Sequence, residues 1–229
     1  MSGFSILIYS INIYFILQME IFIGIDQSIN STGVTIQCFE REKLIQQHFY
    51  IIKTNKLTKK EKIAQENIDG FDYILYHKWE KDDAKDNNEF ELHKLENNIN
   101  ISNEIINLIK QYAINKLDKI YVAMEGISFQ SSNKTQSIID LSGLSTLIRY
   151  RIYKYFESNQ DHMGSLKIFT PSEVKKFATG NGMANKEVMV NLFKTNNKKF
   201  AMIPKLDDMA DSYWICSYMR KIYCDEYGL

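Results

Sequence analysis

Three cysteines in 229 residues, Cys38, Cys216 and Cys224, form neither a C-x-x-C pair nor an even set. That excludes a zinc ribbon, a dithiol redox site and a disulfide framework, and leaves ordinary thiols of a reducing compartment. Only two prolines occur while Ile, Asn, Lys and Tyr are frequent, a composition shared with AT-rich coding sequences of viruses, phages and intracellular organisms. Lys plus Arg equals Asp plus Glu at 28 each, so the net charge identifies no polyanionic partner, and only its distribution can. The first 18 residues, MSGFSILIYSINIYFILQ, are apolar yet hold no Lys or Arg for a signal-peptide n-region and no A-x-A-like cleavage site. The run is short for a membrane span and is broken by Ser and Asn. Residues 1–18 therefore read as a dispensable extension upstream of a start at Met19, with a membrane anchor as the alternative. The protein is expected inside the cell, in the cytoplasm or at a viral replication site, and not secreted.

At 45% hydrophobic, the chain is able to bury one full core, with room for an insertion. The stretches IFIGID, GVTIQCF and LIQQHFYII are short, rich in β-branched and aromatic residues, and separated by brief polar breaks. They predict a three-strand antiparallel meander starting at Ile21. From about 53 to 98 the sequence turns polar, and residues 80–98 hold seven acidic residues against three lysines. This stretch reads as an insertion or mobile loop rather than core. Ile101, Ile105, Leu108, Ile109 and Tyr112 recur at helical spacing, predicting a helix over 99–116 capped by Asn100 or Ser102. A strand, KIYVAMEG, follows. An amphipathic helix over 137–156, a strand SLKIFT and a helix with Pro171 in its first turn come next. After a TGNG turn, Asn185 caps a further helix, and the last helix covers about 206–223. Helical crossovers make the later strands parallel. The expected architecture is thus α/β: a mixed five-stranded sheet, three antiparallel strands then two parallel, flanked by helices.

Asp26 and Glu125 each terminate an otherwise apolar strand. In an open α/β sheet the carboxyl ends of strands line the ligand crevice, so neighbouring strands ending this way bring their carboxylates together. KLDDMADSYW adds Asp208 and Asp211, three residues apart and on one helix face, with Asp207 pointing aside. Four carboxylates from two strands and a helix make an all-oxygen, hard-ligand site suited to Mg²⁺ or Mn²⁺. None of the four histidines, His48, His77, His93 and His162, adjoins these motifs, which disfavours zinc. Singly, each residue has a plainer reading, since strand-end and helix-start acids commonly serve as caps and dipole partners. Their joint order along the chain is what capping does not explain.

In these motifs the sequence resembles the RuvC family of Holliday-junction resolvases, within the RNase H-like superfamily. The matching segments are GIDQSINSTG, VAMEGISFQSSNKTQSIIDLSGLSTLIRYRI, TPSEVKKFATGNGMANKEVMV and LDDMADSYWI. The resemblance runs from about Ile21 to Tyr218 outside the polar insertion, and the wording KLDDMADS is close to that of poxvirus resolvases. The resemblance implies an RNase H-like nuclease domain over 19–229 that cuts four-way DNA junctions symmetrically in recombination, replication or repair. It implies that Asp26, Glu125, Asp208 and Asp211 form the catalytic quartet holding two Mg²⁺ or Mn²⁺ ions, with Asp26 bridging them. By the same resemblance Lys186 sits near the scissile phosphate, and the nick carries a 5′-phosphate and a 3′-hydroxyl. The family's junction wedge is a Phe three residues after the glutamate. Here that position is Ser128, and Phe129, one further on, reads equally as a core or dimer-interface residue.

Local charge answers the neutral total. Residues 166–206 hold eight lysines against Glu173 and Glu187, a stripe able to track phosphates. Candidate DNA contacts are Lys175 and Lys176 within it, Gly180 and Gly182 in its turn, and Asn133 with Lys134 before the third helix. Ser28, Asn30 and Thr32 are candidates either for a phosphate contact or for shaping the turn after Asp26. A four-way junction has twofold symmetry and calls for two coordinated cuts, which a homodimer supplies. Helix 137–156 then serves the core on one face and a partner on the other. Two rival readings remain. One is an RNase H-like nuclease on other branched DNA or RNA:DNA hybrids. The other is an actin-like ATPase, which begins with a similar GID strand but does not call for Asp208 and Asp211.

Overall fold

The computed structural model describes residues 18–54, 57–127, 135–159, 164–204 and 206–227. Among these residues there are six strands: β1 (Glu20–Asp26), β2 (Ser31–Glu40), β3 (Lys43–Thr54), β4 (Phe71–Tyr76), β5 (Lys119–Glu125) and β6 (Gly164–Phe169). Six α-helices accompany them: α1 (Lys59–Asn67), α2 (Asn87–Tyr112), α3 (Thr135–Ser158), α4 (Pro171–Thr179), α5 (Lys186–Asn196) and α6 (Leu206–Tyr227). The strands form one sheet in the order β4-β3-β2-β1-β5-β6. The β1-β2-β3 meander is antiparallel, while β5 runs parallel to β1 and β6 parallel to β5.

The expected five-stranded sheet is corrected to six. FDYILY, inside the stretch 53–98, pairs in parallel with β3 at the sheet edge. Its preceding helix α1 starts at a Thr58 cap, with Glu61 completing a capping box. Phe71 and Tyr73 are buried and pack with Phe49 and Ile51, so this part of the stretch belongs to the core. An edge strand buries only alternate residues, which is why its surroundings look polar in sequence. Helix α2 also begins earlier than 99. Its cap is Asp86, whose side chain accepts from the Glu89 amide, and the expected cap Ser102 is instead buried within the helix.

β1 lies between β2 and β5 and is buried on both faces, as its unbroken apolar run requires. Ile21, Ile23 and Ile25 face α2 and α3 with Ile101, Ile105, Leu144 and Ile148. Phe22 faces the opposite layer and stacks on Tyr121, near Trp214, Met219 and Tyr223 of α6. Helix α6 lies directly on β1 and β2. A Cβ at Gly24 would overlap the Ser212 carbonyl and the Cys216 amide, so only glycine permits this approach. Buried hydroxyls of Thr35 and Ser212, 2.8 Å apart, fix the register of helix on sheet. Pro171 opens α4, Gly180 closes it with a left-handed φ of 77°, and Asn185 caps α5 through the Val188 amide, as the sequence predicts. Among the described residues no helix is long and apolar enough to cross a membrane.

Candidate active site

The β1–β5 register pairs Ile25 with Met124, which sets Asp26 and Glu125 side by side at the carboxyl ends of adjacent parallel strands. Across β1, Asp26 pairs with Gly33 on β2. A Cβ on Gly33 would strike the Asp208 carbonyl, so the first turn of α6 rests on the strand beside Asp26. Asp211, one helical turn on, completes the group. Two strands and one helix N-terminus thus bring all four predicted carboxylates to one edge of the sheet.

The electrostatics record that convergence. Burial raises the Asp26 carboxyl well above its ordinary value, and Asp211, Glu125 and Asp208 push it further. Burial and then Asp211 raise Glu125 to about 7, against the partial relief of Lys175 and Lys186. Asp208 and Asp211 are raised by burial too, with Ser31 and Lys186 respectively opposing the shift. Lys186, the first residue of α5, lies 3.3 Å from Asp211 Oδ2 and 3.2 Å from Asp207 Oδ2. Burial works against its charge, but Asp211 and Asp207 outweigh it and hold the ammonium above the ordinary lysine value. Asp207, which points away from the Asp208–Asp211 face, is therefore a partner of Lys186, reached because that side chain is long and enters from another helix.

Two residues that the sequence did not single out support the carboxylates. Ser31 Oγ donates to Asp208 Oδ2 at 2.5 Å and turns that carboxylate toward β2. Gln27, buried, donates from Nε2 to the Glu125 carbonyl at 2.9 Å and ties the two strand ends together. The only hint of either is adjacency to Asp26. The other predicted contacts divide. Thr32 is fully buried, accepts from the Ser28 amide at 3.1 Å and donates to the Ser28 carbonyl at 2.7 Å. It therefore shapes the turn and is removed from the candidate DNA contacts. Asn30 is exposed and accepts from Lys78 at 3.1 Å. Lys175 is close enough to stabilise the charged forms of Glu125 and Asp211, whereas Lys176 is exposed on the outer side of α4. Gly180 is exposed and Gly182 packs near the Ser172 carbonyl. Ser128, Phe129, Asn133 and Lys134 lie outside the described residues.

The chemistry of this donor set suits a divalent cation. Four buried or half-buried carboxylates repel one another, and among the described residues Lys186 and Lys175 oppose that repulsion. Carboxylate oxygens alone suit a hard ion. As placed, Asp208 turns to Ser31 and Asp211 to Lys186, and among the described residues no three His, Cys, Asp or Glu side chains close on a common point.

No protein-family model matches the sequence, and no curated protein matches it. Solved structures match the fold. RuvC of Thermus thermophilus is 13% identical with a TM-score of 0.51, over 91% of this chain and 96% of that one. T. thermophilus RuvC in complex with a Holliday junction substrate is 12% identical with a TM-score of 0.45, over 87% and 90%. The yeast mitochondrial Holliday junction resolvase Ydc2 is 14% identical with a TM-score of 0.43, over 92% and 85%. At such identities a likeness speaks of architecture, and the architecture of this chain is RuvC-like.

Proposed function

We propose that this protein is a metal-dependent endonuclease that resolves four-way DNA junctions by paired, symmetric phosphodiester cleavage. The observation that carries the reading is the convergence of Asp26, Glu125, Asp208 and Asp211 at the carboxyl edge of β1 and β5, in a RuvC-like fold. Mg²⁺ or Mn²⁺ held by these four carboxylates, two ions per site, supplies Lewis acidity at the scissile phosphate and a water acidified near neutral pH. The protein's own groups do the rest. Lys186, charged and paired with Asp207 and Asp211, offers a cation for the negative charge that grows on the phosphoryl oxygens. Ser31 keeps Asp208 turned to the sheet, and Gln27 keeps the Glu125 strand end beside Asp26. Lys175 and Lys176 on α4 and Lys194 on α5 extend the positive surface along which a DNA backbone is held.

Two cuts on a symmetric substrate call for a homodimer. Helix α3 suits the interface. Its inner face packs Leu144, Ile148 and Ile152 into the core, while Ile139, Tyr150 and Tyr153 are exposed on the outside. We place the enzyme inside the cell, and by the KLDDMADS wording in a viral or phage replication setting. The test is cleavage of a synthetic four-way junction, a flap, a duplex and an RNA:DNA hybrid, with and without Mg²⁺. Symmetric nicking of the junction, lost in Asp26→Asn while binding persists, is the expected result. Cleavage of the hybrid alone would move the reading to a ribonuclease, and Asp26→Asn cleaving like wild type would end it.

A further inference from the structure

A second concavity adjoins the carboxylates. It has a volume of about 340 Å³, and Ser31, whose hydroxyl binds Asp208, forms part of its wall. Most of the remaining wall comes from the end of β3, the start of α1 and the edge strand β4, the last two being elements that the sequence disguises as a polar insertion.

Its chemistry is that of a site for a flat, uncharged, hydrogen-bonding group. Ile51, the Tyr73 ring and Pro204 supply apolar surface, and Asn30 and Thr54 supply polar surface. Its charges are already paired. Lys53 Nζ donates to Glu61 Oε1 at 2.6 Å, with both side chains nearly buried, and Lys78 Nζ donates to Asn30 at 3.1 Å and lies 3.5 Å from Glu80. A bare phosphate would meet the Glu61 carboxylate and find both lysines engaged. Tyr73 points to a ligand from another direction. The residue is 7% exposed, and its hydroxyl is buried with no hydrogen-bond partner among the described residues. A buried hydroxyl left unpaired lowers stability, and the edge of a bound group that reached it would pair it. The volume is at the small end of ligand sites, roughly 300–1,000 Å³, enough for one planar heterocycle and far too small for a duplex.

We infer that this cavity receives a single unstacked nucleobase of the DNA strand lying in the active site, and so sets a nucleotide preference at one position beside the cut. The inference rests on the nuclease reading for its substrate, although the cavity's binding can be measured without cleavage. Unstacking is least costly where pairing is already disturbed, as it is next to a junction's crossover, and a base held by a shaped polar pocket is discriminated by its edge.

The experiment uses wild type, Tyr73→Phe, and Asn30→Trp, which fills the mouth from an exposed position. Each protein receives a four-way junction randomised over the nucleotides flanking the crossover, with Mg²⁺, and the products are sequenced. In parallel, junctions carrying 2-aminopurine at each of those positions are bound in EDTA. Wild type should favour one base at one position by about tenfold, and both variants should bring that ratio below about threefold, the scale of a lost polar contact to a base. At the same position 2-aminopurine should brighten on binding wild type and not the variants. A flat wild-type profile, or a preference unchanged in both variants, overturns the inference. Position-specific brightening lost in Tyr73→Phe, without cleavage of any junction, would uphold the pocket and reject the nuclease. Cleavage without any position-specific brightening would do the reverse.

Discussion

The carboxylate site should weaken the fold that carries it, by an amount that depends on pH. An acid whose folded-state pKa is raised holds more protons in the native chain than in the unfolded one. Its effect is absent below the unfolded value, grows as pH rises toward the folded value, and is complete above it. Glu125 moves from an ordinary 4.5 to about 7. Ionising it in place therefore removes about 3 kcal/mol of stability from the metal-free protein above pH 7. Asp26, raised by burial and by three neighbouring carboxylates, acts in the same direction.

Asp208 and Asp211, also raised by burial, act in the same direction, whereas two other paired groups act outside the window from pH 5 to 8. In Glu61, burial is outweighed by the bonds from Lys53 and Thr58, so its carboxyl is lowered and its stabilisation is complete above 4.5. The pairing of Lys186 is lost only in the strongly alkaline range, because its charge is reinforced. Thermal unfolding in EDTA should then show wild type losing stability from pH 5 to pH 8, while Glu125→Gln loses less. At pH 8 in EDTA, Glu125→Gln and Asp26→Asn should each melt above wild type by about 5 °C or more, at roughly 2–4 °C per kcal/mol for a domain of this size. Added Mg²⁺ should restore wild type and leave the variants nearly unmoved. A metal-free wild type whose stability is level or rises from pH 5 to 8, or variants that melt below it at pH 8, would refute the reasoning. Either result would mean that the protein already compensates these carboxylates and has no need of a cation.

Further expectations concern single positions. Gly33→Ala should lower stability by about 2 kcal/mol and cut cleavage with it, because the new methyl meets the Asp208 backbone; denaturant titration beside an activity assay checks both. Lys186→Met should reduce the single-turnover cleavage rate by about 10²-fold with junction affinity nearly unchanged, the cost of losing one charge-stabilising donor. Lys175→Ala and Lys176→Ala should each lower the slope of log affinity against log salt by about one if the lysine meets a phosphate. The β2–β3 turn holds Arg41 and Glu42 at φ of 46° and 67°. Replacing the pair by Asn-Gly should raise stability by about 1 kcal/mol in a melt.

What could be read from sequence follows from how local each signal is. Asp26 and Glu125 stand out because a carboxylate is the first polar residue after a fully buried strand, and Asp208 and Asp211 because helical spacing aligns them. Pro171, Gly180 and Asn185 announce their turns and caps by backbone chemistry alone. Strand β4 did not announce itself, since an edge strand between the polar α1 and the acidic start of α2 lacks the flanking apolar signal of a central strand. Ser28, Asn30, Ser31 and Thr32 are chemically alike in a string. Only the β2 register tells that Thr32 is buried, that Ser31 meets Asp208 and that Asn30 reaches the second cavity. The role of Asp207 was hidden for a related reason, because the helix wheel of α6 says nothing about a lysine arriving from α5.

Helix α6 explains how a self-repelling site is kept at all. Beyond its first turns it carries Trp214, Ile215, Cys216, Met219 and Tyr223 into the core against β1 and β5. Burying such side chains is worth roughly 1.5–3 kcal/mol each, which exceeds the cost of the aspartates at its start. The same helix cannot slide to relieve that cost. Gly24 and Gly33 admit its backbone at two points, and the Thr35–Ser212 hydroxyl pair lies between them. Asp208 and Asp211 are thus held near Asp26 by packing one to four turns away. A substitution that loosens α6 at Gly24, such as Gly24→Ala, should therefore damage the site without touching a carboxylate. Its expected signature is a metal-free stability that falls less from pH 5 to 8, because Asp208 and Asp211 no longer add to the burial that raises Asp26 and Glu125. If Gly24→Ala retained the wild-type pH dependence while lowering stability uniformly, the helix would be shown to hold its aspartates by some other means.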